Sequence, residues 1–592
     1  MAESVNGGSK TPAQPPKEMS MEVRLLIAFL LMGAVMFLTP YFFKSQTPPP
    51  VQKDAAGQTA SQGAPGASST AGRIPFAEPP APPASAAEAA AVAVPLPAGA
   101  TPQKAEPAFV IETDLYKIAF SNQGGTVRSW QLKKTKGNDL KTLDLVNSAA
   151  GMDFPYSLYF PNQKPLVNVN FTWYKQTAEP DGLGVTYEFS DGHVSVRKVF
   201  RFQKASYLSM VSTEVTLDGK PLPHMIQWRG GFGDLTIASP TGDQRTLYFD
   251  VTANKLVEQA PKSASKGPLA TGGNHSFAGI ADTYFAAVFL AEGNSGMQEV
   301  TFGDTVKTPH DQTPQALSGV AISDGPANRF EVYVGPKDID VLKRINPKLE
   351  QVVDFGWMAF LAKPLFLIVN YVNDTMVHNF GWAIVLVTVA INFILFPLKL
   401  SNMKSMKKMQ ALKPQIDAIN AKFKNIGLRD PKKGEQNEEV MALYKKHGVN
   451  PMGGCLPMLL QMPFFFAFYK VFTVSVEMRG APWLWVADLS QAENWLTIGG
   501  TAIRILPLVM IASQFIMQKM TPQAAGDPSQ QKMMMFMPLV FGFMFYHFPS
   551  GLVLYYLTSN LVSMGQQLFF NKTSMAQLAA ESIGPLTKIG RK

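Results

Sequence analysis

Cysteine is nearly absent from the sequence, and charged residues are scarce. Cys455 is the single cysteine among 592 residues, so an intrachain disulfide cannot form. Charged residues make up 16 % of the chain, whereas soluble domains average roughly 25 %. Because hydrophobic residues reach 46 %, the composition predicts membrane-embedded segments. The length predicts at least two folded units.

Sequence motifs that hold nucleotides or metals are also missing. The chain contains no G-x-x-x-x-G-K-[ST] phosphate loop, no H-E-x-x-H and no paired-cysteine spacing. We therefore expect no nucleotide, no metal and no other cofactor, and a role other than that of an enzyme.

The first 107 residues predict a membrane anchor followed by a tether. Residues 1–24 are polar and are expected in the cytoplasm, whereas residues 25–43 form an apolar run about long enough to cross a bilayer. A cleaved signal peptide is the alternative, but no clear A-x-A-type site follows and the run is long for a signal core. Residues 44–107 are rich in Pro and Ala, which predicts a disordered tether.

Residues 108–348 have the period-two pattern of β-strands. Tyr116, Ile118 and Phe120 alternate with polar or small residues, and the same alternation returns at residues 194–202 and 330–334. Repeated short strands with Gly, Asp and Asn between them predict an antiparallel sandwich. Because the chain crosses the membrane once before this region, we expect the sandwich to lie outside the cytoplasm. Since no acid–base pair accompanies the histidines of this region, we expect them to be structural: His193, His224 and His275.

The rest of the chain predicts a helical membrane core. Residues 349–378 mix aromatic and polar side chains and are expected to form an amphipathic helix in the membrane interface. Residues 379–570 contain apolar segments for five spans. A break at Pro549-Ser550-Gly551 divides the last apolar stretch into a tight hairpin. Each arm of this hairpin has at most about 18 residues, which is short for a bilayer and favours local thinning.

Within the core, residues 401–450 predict a cytoplasmic helical hairpin. This segment has eleven Lys and Arg and five Asp and Glu, so it carries a net charge of +6 out of the total of +9. Loops rich in Lys and Arg remain on the cytoplasmic side of the membrane. The basic tail, residues 571–592, is placed on the same side. We expect four lysines of the hairpin to make its contacts: Lys404, Lys407, Lys408 and Lys413.

Polar side chains inside the predicted spans form the candidate site. Such residues are expensive in a membrane and mark functional positions, although simple helix–helix hydrogen bonds of ~0.6 kcal/mol are the alternative. Those in the last span follow offsets that place them on one helix face. The set predicts a wet groove inside the membrane and comprises Thr388, Asn392, Gln461, Ser513, Gln514, Tyr556, Asn560, Ser563 and Gln567.

Four short motifs resemble signatures of one known family, the YidC membrane protein insertases. They are the run 450–457 with Gln461-Met462-Pro463, the final hairpin 548–556, Phe396-Pro397-Leu398, and Asp527-Pro528 before the fifth span. The resemblance extends over the whole chain in order. The large exported domain resembles the Gram-negative form, whose sandwich is sugar-epimerase-like.

This resemblance implies a membrane protein insertase and folding chaperone of the bacterial inner membrane. It implies nascent inner-membrane proteins, the ribosome, the Sec translocon and the lipid bilayer as partners, and cytoplasmic N- and C-termini. Thr388 and Tyr556 match groove positions of the family, but Asn392 stands where the family has an arginine. Lys470 is a candidate for the missing cation, unless it extends to the outer interface.

Two other classes of function remain as alternatives. A secondary transporter with a midplane polar site is one, although the last five spans show no internal repeat. A carbohydrate-active enzyme on an anchor is the other, and it leaves the membrane core unexplained. The expected fold is therefore multi-domain: an α-helical membrane core, with a five-span insertase bundle plus an N-terminal anchor helix, and an all-β periplasmic sandwich domain.

Overall fold

The computed structural model describes most of the chain after the predicted tether. The described residues are 104–137, 141–148, 150–236, 244–291, 296–308, 313–423, 432–449, 456–494, 496–498, 501–520 and 528–573. The predicted cytoplasmic N-terminus and anchor lie outside them, as do nearly all of the tether and tail. Residues 424–431 and 450 of the predicted cytoplasmic hairpin, and residues 451–455 after it, are also outside them.

The β domain consists of antiparallel strands. They are β1 Phe109–Glu112, β2 Tyr116–Ser121, β3 Thr126–Lys136, β4 Thr142–Asp144, β5 Ser157–Tyr159, β6 Lys175–Ala178, β7 Gly184–Ser190, β8 Val194–Phe202, β9 Leu208–Leu217, β10 Lys220–Pro221, β11 Met225–Trp228, β12 Arg245–Asp250, β13 Lys255–Gln259, β14 Leu269–Gly273, β15 His275–Ala281, β16 Phe285–Ala291, β17 Met297–Val306, β18 Gln315–Ser323 and β19 Asn328–Pro336.

These strands form three sheets around a shared core. The largest has the order β13-β12-β15-β16-β19-β9-β8-β7-β6, with β10 paired to β9. A five-stranded sheet has the order β14-β17-β18-β11-β5, and a four-stranded sheet the order β1-β2-β3-β4. Phe200, Trp130 and Ile226, one from each sheet, belong to one buried cluster. The predicted all-β sandwich is confirmed.

Strand β8 shows how the sequence pattern produces this packing. Alternate side chains from Val194 to Phe202 are buried, as the period of a pleated strand requires. Lys198 interrupts the apolar row and is fully buried. Its ammonium group donates to the carbonyl oxygens of Gly124 and Tyr156 at 2.6 and 2.7 Å. Burial lowers the pKa of Lys198 to about 7.

The helical part of the chain follows directly on β19. Its helices are α1 Ile339–Ile345, α2 Ala359–Val372, α3 Phe380–Ile394, α4 Phe396–Ala411, α5 Lys413–Lys422, α6 Lys432–Lys446, α7 Leu456–Val474, α8 Ile505–Met520, α9 Pro528–Phe545 and α10 Ser550–Lys572. Short 3-10 turns precede α2 at Pro347–Val352 and Gly356–Met358, and a π turn at Asn373–Val377 follows it. The helical core predicted from the sequence is confirmed.

Helix α2 occupies the segment expected at the membrane interface. It buries Ala362, Leu365, Phe366 and Val369, which share one helix face, and exposes Phe360 and Tyr371 on the other. After α2 the chain turns by 115° into α3. His378 permits this bend by adopting a left-handed conformation with φ of 49°. Asn379 then caps α3, because its side chain accepts from the Trp382 amide at 3.2 Å.

The apolar helices of the described part of the chain are short. Among the described residues, no single helix is both long and apolar enough to cross a bilayer, but the bent pair Gly356–Val377 and Phe380–Ile394 meets that test together. Leu460–Val474, Ile505–Met520 and Met535–Phe545 are shorter apolar helices.

Two details differ from the sequence-based boundaries. The hairpin was expected to begin at residue 401, whereas α4 begins at Phe396. Only Leu395 separates α4 from α3. The loop before α8 contains a small unpredicted hairpin, β20 Leu496–Ile498 and β21 Thr501–Ile503. Its strands have three residues each, too few for a periodic pattern to be read.

Candidate functional site in the helical core

Asn392 is the centre of a polar cluster between α3, α4 and α10. Its exposed fraction is 2 %, and that of Thr388, one turn earlier, is 0 %. The Asn392 amide nitrogen donates to the Thr388 carbonyl oxygen at 2.8 Å. The Thr388 hydroxyl donates to the Ile384 carbonyl oxygen at 2.6 Å. The two residues share a helix face, as their spacing of four indicates.

Three side chains of α10 reach this centre. The Ser559 hydroxyl donates to the Asn392 side-chain oxygen at 3.2 Å, and Gln566 donates to the Asn392 backbone carbonyl at 3.1 Å. Ser563 joins them through a lysine described below. Ser559, Ser563 and Gln566 are spaced by four and three residues, so they form one stripe.

Lys399 is the cation of the cluster, and the sequence analysis missed it. Its ammonium group donates to the Asn392 side-chain oxygen at 2.5 Å and to the Ser563 hydroxyl at 3.0 Å. Its exposed fraction is 9 %. The available signal was a lysine two helical turns after Asn392 and inside the predicted second span, because such a residue returns to the same face.

The predicted stripe on the last helix contacts more than one neighbouring helix. Ser563 belongs to the face that contacts α3 and α4, but Asn560 instead donates to the Ser513 hydroxyl of α8 at 3.1 Å. Gln567 donates to Asn571 at 3.2 Å within α10. Small polar residues therefore lie on neighbouring faces of α10, and the spacing along the sequence does not say which of these faces contacts α3.

Tyr555, rather than Tyr556, belongs to the polar side of α10. Gln461 of α7 donates to the Tyr555 hydroxyl and, at 3.4 Å, to the Ser559 hydroxyl. Tyr556 packs its ring 4.8 Å from that of Phe545 on α9. Gln461 therefore lies at the edge of the Asn392 cluster, to which Ser559 connects it.

Helix α8 contributes a second polar contact to α10. Ser513 is buried and donates to the Met510 carbonyl oxygen at 2.7 Å, while it accepts from Asn560. Gln514 is partly buried, and its side-chain oxygen has no hydrogen-bond partner among the described residues.

Lys470 does not contact the Asn392 cluster. It lies near the carboxyl end of α7, where its terminal carbon would be 3.3 Å from a β-carbon added at Gly356. Gly356 precedes α2, so Lys470 lies at the junction of α7 with the interfacial segment. Lys399, and not Lys470, is the lysine that contacts Asn392.

The four predicted contact lysines lie along α4 and the start of α5. Lys404 and Lys413 are exposed, whereas Lys407 and Lys408 are half-buried. Lys407 donates to Gln410 at 3.1 Å. Helices α4 to α6 pack through a small core that contains Met409, Leu412 and Tyr444.

The histidines of the β domain have structural environments. His224 is buried between the Thr213 hydroxyl and the Leu222 carbonyl oxygen, at 2.8 and 2.9 Å, and burial lowers its pKa to about 4. His193 is exposed and paired with Asp218, and His275 stacks on a tyrosine ring. Among the described residues, no group of three or more His, Cys, Asp or Glu side chains is arranged to hold a metal.

Comparisons with known proteins identify the family. The model of the 60Kd inner membrane protein matches residues 372–577, and the YidC periplasmic domain model matches residues 108–368. The membrane protein insertase YidC of Geotalea daltonii is 34 % identical over 582 residues, covering 93 % of this chain and 99 % of that protein. The chain belongs to the YidC family of membrane protein insertases.

A second curated relative agrees with this placement. The YidC insertase of Pelobacter propionicus is 34 % identical over 570 residues, with 93 % of this chain and 99 % of that protein covered. A crystal structure of an active YidC insertase with its first transmembrane domain resolved aligns at a TM-score of 0.35 and 20 % identity, over 80 % of this chain and 95 % of that one. These relatives are inner-membrane insertases with a periplasmic domain, a role distinct from that of an enzyme.

Proposed function

We propose that this YidC-family chain inserts client transmembrane segments through the polar cluster around Asn392, alone or with the Sec translocon, and without nucleotide hydrolysis. The observation that carries the proposal is the buried contact of Lys399 with Asn392 and Ser563. Three helices converge there on polar groups, while the lipid-facing sides of the same helices expose residues such as Phe393 and Leu561.

A polar path of this kind lowers the cost of moving a client segment. One charge at the centre of a bilayer costs roughly 2.5–3.5 kcal/mol on insertion scales. A groove that offers hydrogen-bond donors and acceptors replaces part of the water that the segment loses. The apolar span of the client then gains free energy as it leaves water, so no hydrolysis is required.

Lys399 supplies the positive charge that Asn392 cannot supply. The ammonium group has three donors, and the two described contacts leave capacity for a client carboxylate. Asn392 accepts from Lys399 with its side-chain oxygen and so holds the charge beside α10. The groove in this proposal combines polarity with one cation delivered from α4.

The rest of the topology follows from the same proposal. The β domain lies in the periplasm, both termini and the hairpin of α4 to α6 lie in the cytoplasm, and nascent chains arrive from the ribosome. The hairpin lysines Lys404, Lys407, Lys408 and Lys413 contact the ribosome. The short apolar helices α8 and α9 thin the bilayer beside the groove.

Insertion into liposomes tests the proposed function. The purified chain is reconstituted without nucleotide, a short two-span client is translated onto the vesicles, and protease protection measures the fraction inserted. Protection well above that of empty liposomes is expected. Protection no higher than that of empty liposomes, with the chain shown to be folded, contradicts unaided insertion.

A further inference from the structure

The loop between α7 and β20 joins the β domain to the helical core through a buried ion pair. Arg479 in this loop pairs with the carboxylate of Asp234, and the exposed fractions of the two side chains are 5 % and 0 %. The same guanidinium lies 5.1 Å from the ring centroid of Tyr284 and 5.6 Å from that of Phe285. Breaking a buried ion pair is strongly destabilising, so the pair favours one arrangement of domain and loop.

The β-domain side of this contact is held rigidly. Asp282 accepts backbone hydrogen bonds from Asp234, Tyr284 and Phe285 at 2.6, 2.8 and 2.6 Å. Gly233 has a φ of +90°, and a β-carbon added there would lie 2.1 Å from the Asp282 carboxylate. The turn that presents Asp234 to Arg479 therefore tolerates little displacement.

The same loop also caps the groove helix α10. The Gln491 carbonyl oxygen accepts from the amide and the hydroxyl of Ser550, at 2.7 and 2.8 Å. The Leu489 carbonyl oxygen accepts from the Gly551 amide at 2.8 Å. These amides belong to the first turn of α10, where no intrahelical partner exists. Gln491 also donates to the Tyr284 hydroxyl at 3.4 Å, which returns the connection to the β domain.

Helix α10 transmits this attachment to the polar cluster. Ser550 and Ser563 are separated by ~20 Å along the helix, at about 1.5 Å per residue. A tilt of roughly 10° about the outer end would move Ser563 by about 3 Å, which is enough to break a hydrogen bond. The bond between Ser563 and Lys399 is 3.0 Å long.

We propose that Arg479 is a positioning residue through which the β domain holds the outer end of α10 and thereby sets the geometry of the polar cluster. The role of Arg479 in positioning α10 is inferred from the contacts described above. Its consequence for client insertion rests on the proposed function, so the test measures the two separately.

The position of α10 is measured by spin labels in the full chain in liposomes. In a Cys455→Ser background, the labels are attached at Leu561→Cys on α10 and Ile394→Cys on α3. The native side chains at these two positions are 53 % and 77 % exposed. We expect Arg479→Gln to broaden the distance distribution between the labels and to lower client insertion several-fold. Arg479→Lys keeps the charge and is expected to recover part of both.

Arg229→Gln is the matched control. It removes an ion pair with Asp304, at 2.5 Å, that lies wholly within the β domain. This control is expected to leave the label distances unchanged. The double variant Asp234→Asn with Arg479→Gln leaves no unpaired charge, so it keeps the test valid if the single variant fails to fold.

Each outcome decides one part of the proposal. An unchanged distance distribution in Arg479→Gln and in the double variant overturns the positioning role, and so does equal broadening in Arg229→Gln. Broadening with undiminished insertion overturns the link to insertion. If the parent chain inserts no client while Arg479→Gln still broadens the distribution, the proposed function fails and the positioning role stands.

Discussion

Replacing Lys399 with methionine removes the ammonium group from the polar cluster while keeping most of the side-chain volume. In the intact chain this group is 2.5 Å from the Asn392 oxygen and 3.0 Å from the Ser563 hydroxyl. If it also binds a client carboxylate, its loss removes a charge-assisted hydrogen bond of about 1.5–3 kcal/mol. That range corresponds to about 10- to 100-fold in the rate or affinity that depends on it.

The assay uses three clients that differ only at the centre of one segment, with Asp, Asn or Leu. Protease protection in liposomes gives the insertion rate of each client for the parent chain and for Lys399→Met. We expect the large loss only for the Asp client and less than about threefold for the Leu client, since only a carboxylate pairs with the cation. Lys519→Met is the control, because Lys519 is an exposed lysine on α8.

Equal losses for all three clients would refute electrostatic recognition and assign Lys399 a packing role. Losses of the same size in Lys519→Met would show that total charge, rather than its place in the cluster, is what matters.

Three further substitutions extend these expectations. Asn392→Leu removes the acceptor of Lys399 and Ser559, so insertion of all polar clients should fall about tenfold in the protease-protection assay, and normal insertion would contradict the need for a polar groove. Gly551→Ala places a β-carbon 2.7 Å from the Phe472 ring, and we expect a destabilisation of about 1–3 kcal/mol that lowers the thermal unfolding midpoint of the purified chain. Burial raises the pKa of Glu299 to about 8 from its ordinary 4.5, so the folded state retains a proton that the unfolded chain releases between these values. The free energy of unfolding of the β domain should therefore fall as the pH rises from about 5 to 8, and this dependence on pH should be weaker in Glu299→Gln. Hydrogen exchange of the β17 amides, corrected for intrinsic exchange rates, measures this free energy at each pH.

The sequence predicted those elements whose local pattern is decided by one strong force. Strand β8 alternates because one of its faces is buried, and the break before α10 falls at Pro549 because proline cannot continue a helix. The hairpin β20–β21 has no such pattern, since its strands have only three residues each.

The candidate site was predicted in part for a similar reason. Thr388 and Asn392 were found because polar residues inside an apolar run are conspicuous. The predicted residues of α10 contact two different helices because neighbouring faces of α10 both carry small polar residues. Lys399 was missed because it lies at the end of the predicted second span, directly before the basic hairpin, and it was not separated from the lysines of that hairpin. Only the near-continuation of α3 into α4 makes it a residue of the cluster.

The position of Lys399 bears on how this family is compared by alignment. A column-by-column search for the groove arginine would score this chain as lacking the charge, because the column holds Asn392. In the structure the Lys399 ammonium group contacts Asn392, although Lys399 lies two turns further along a nearly continuous helix. We therefore propose that relatives with a neutral residue at that column be compared by whether a lysine or arginine follows seven residues later.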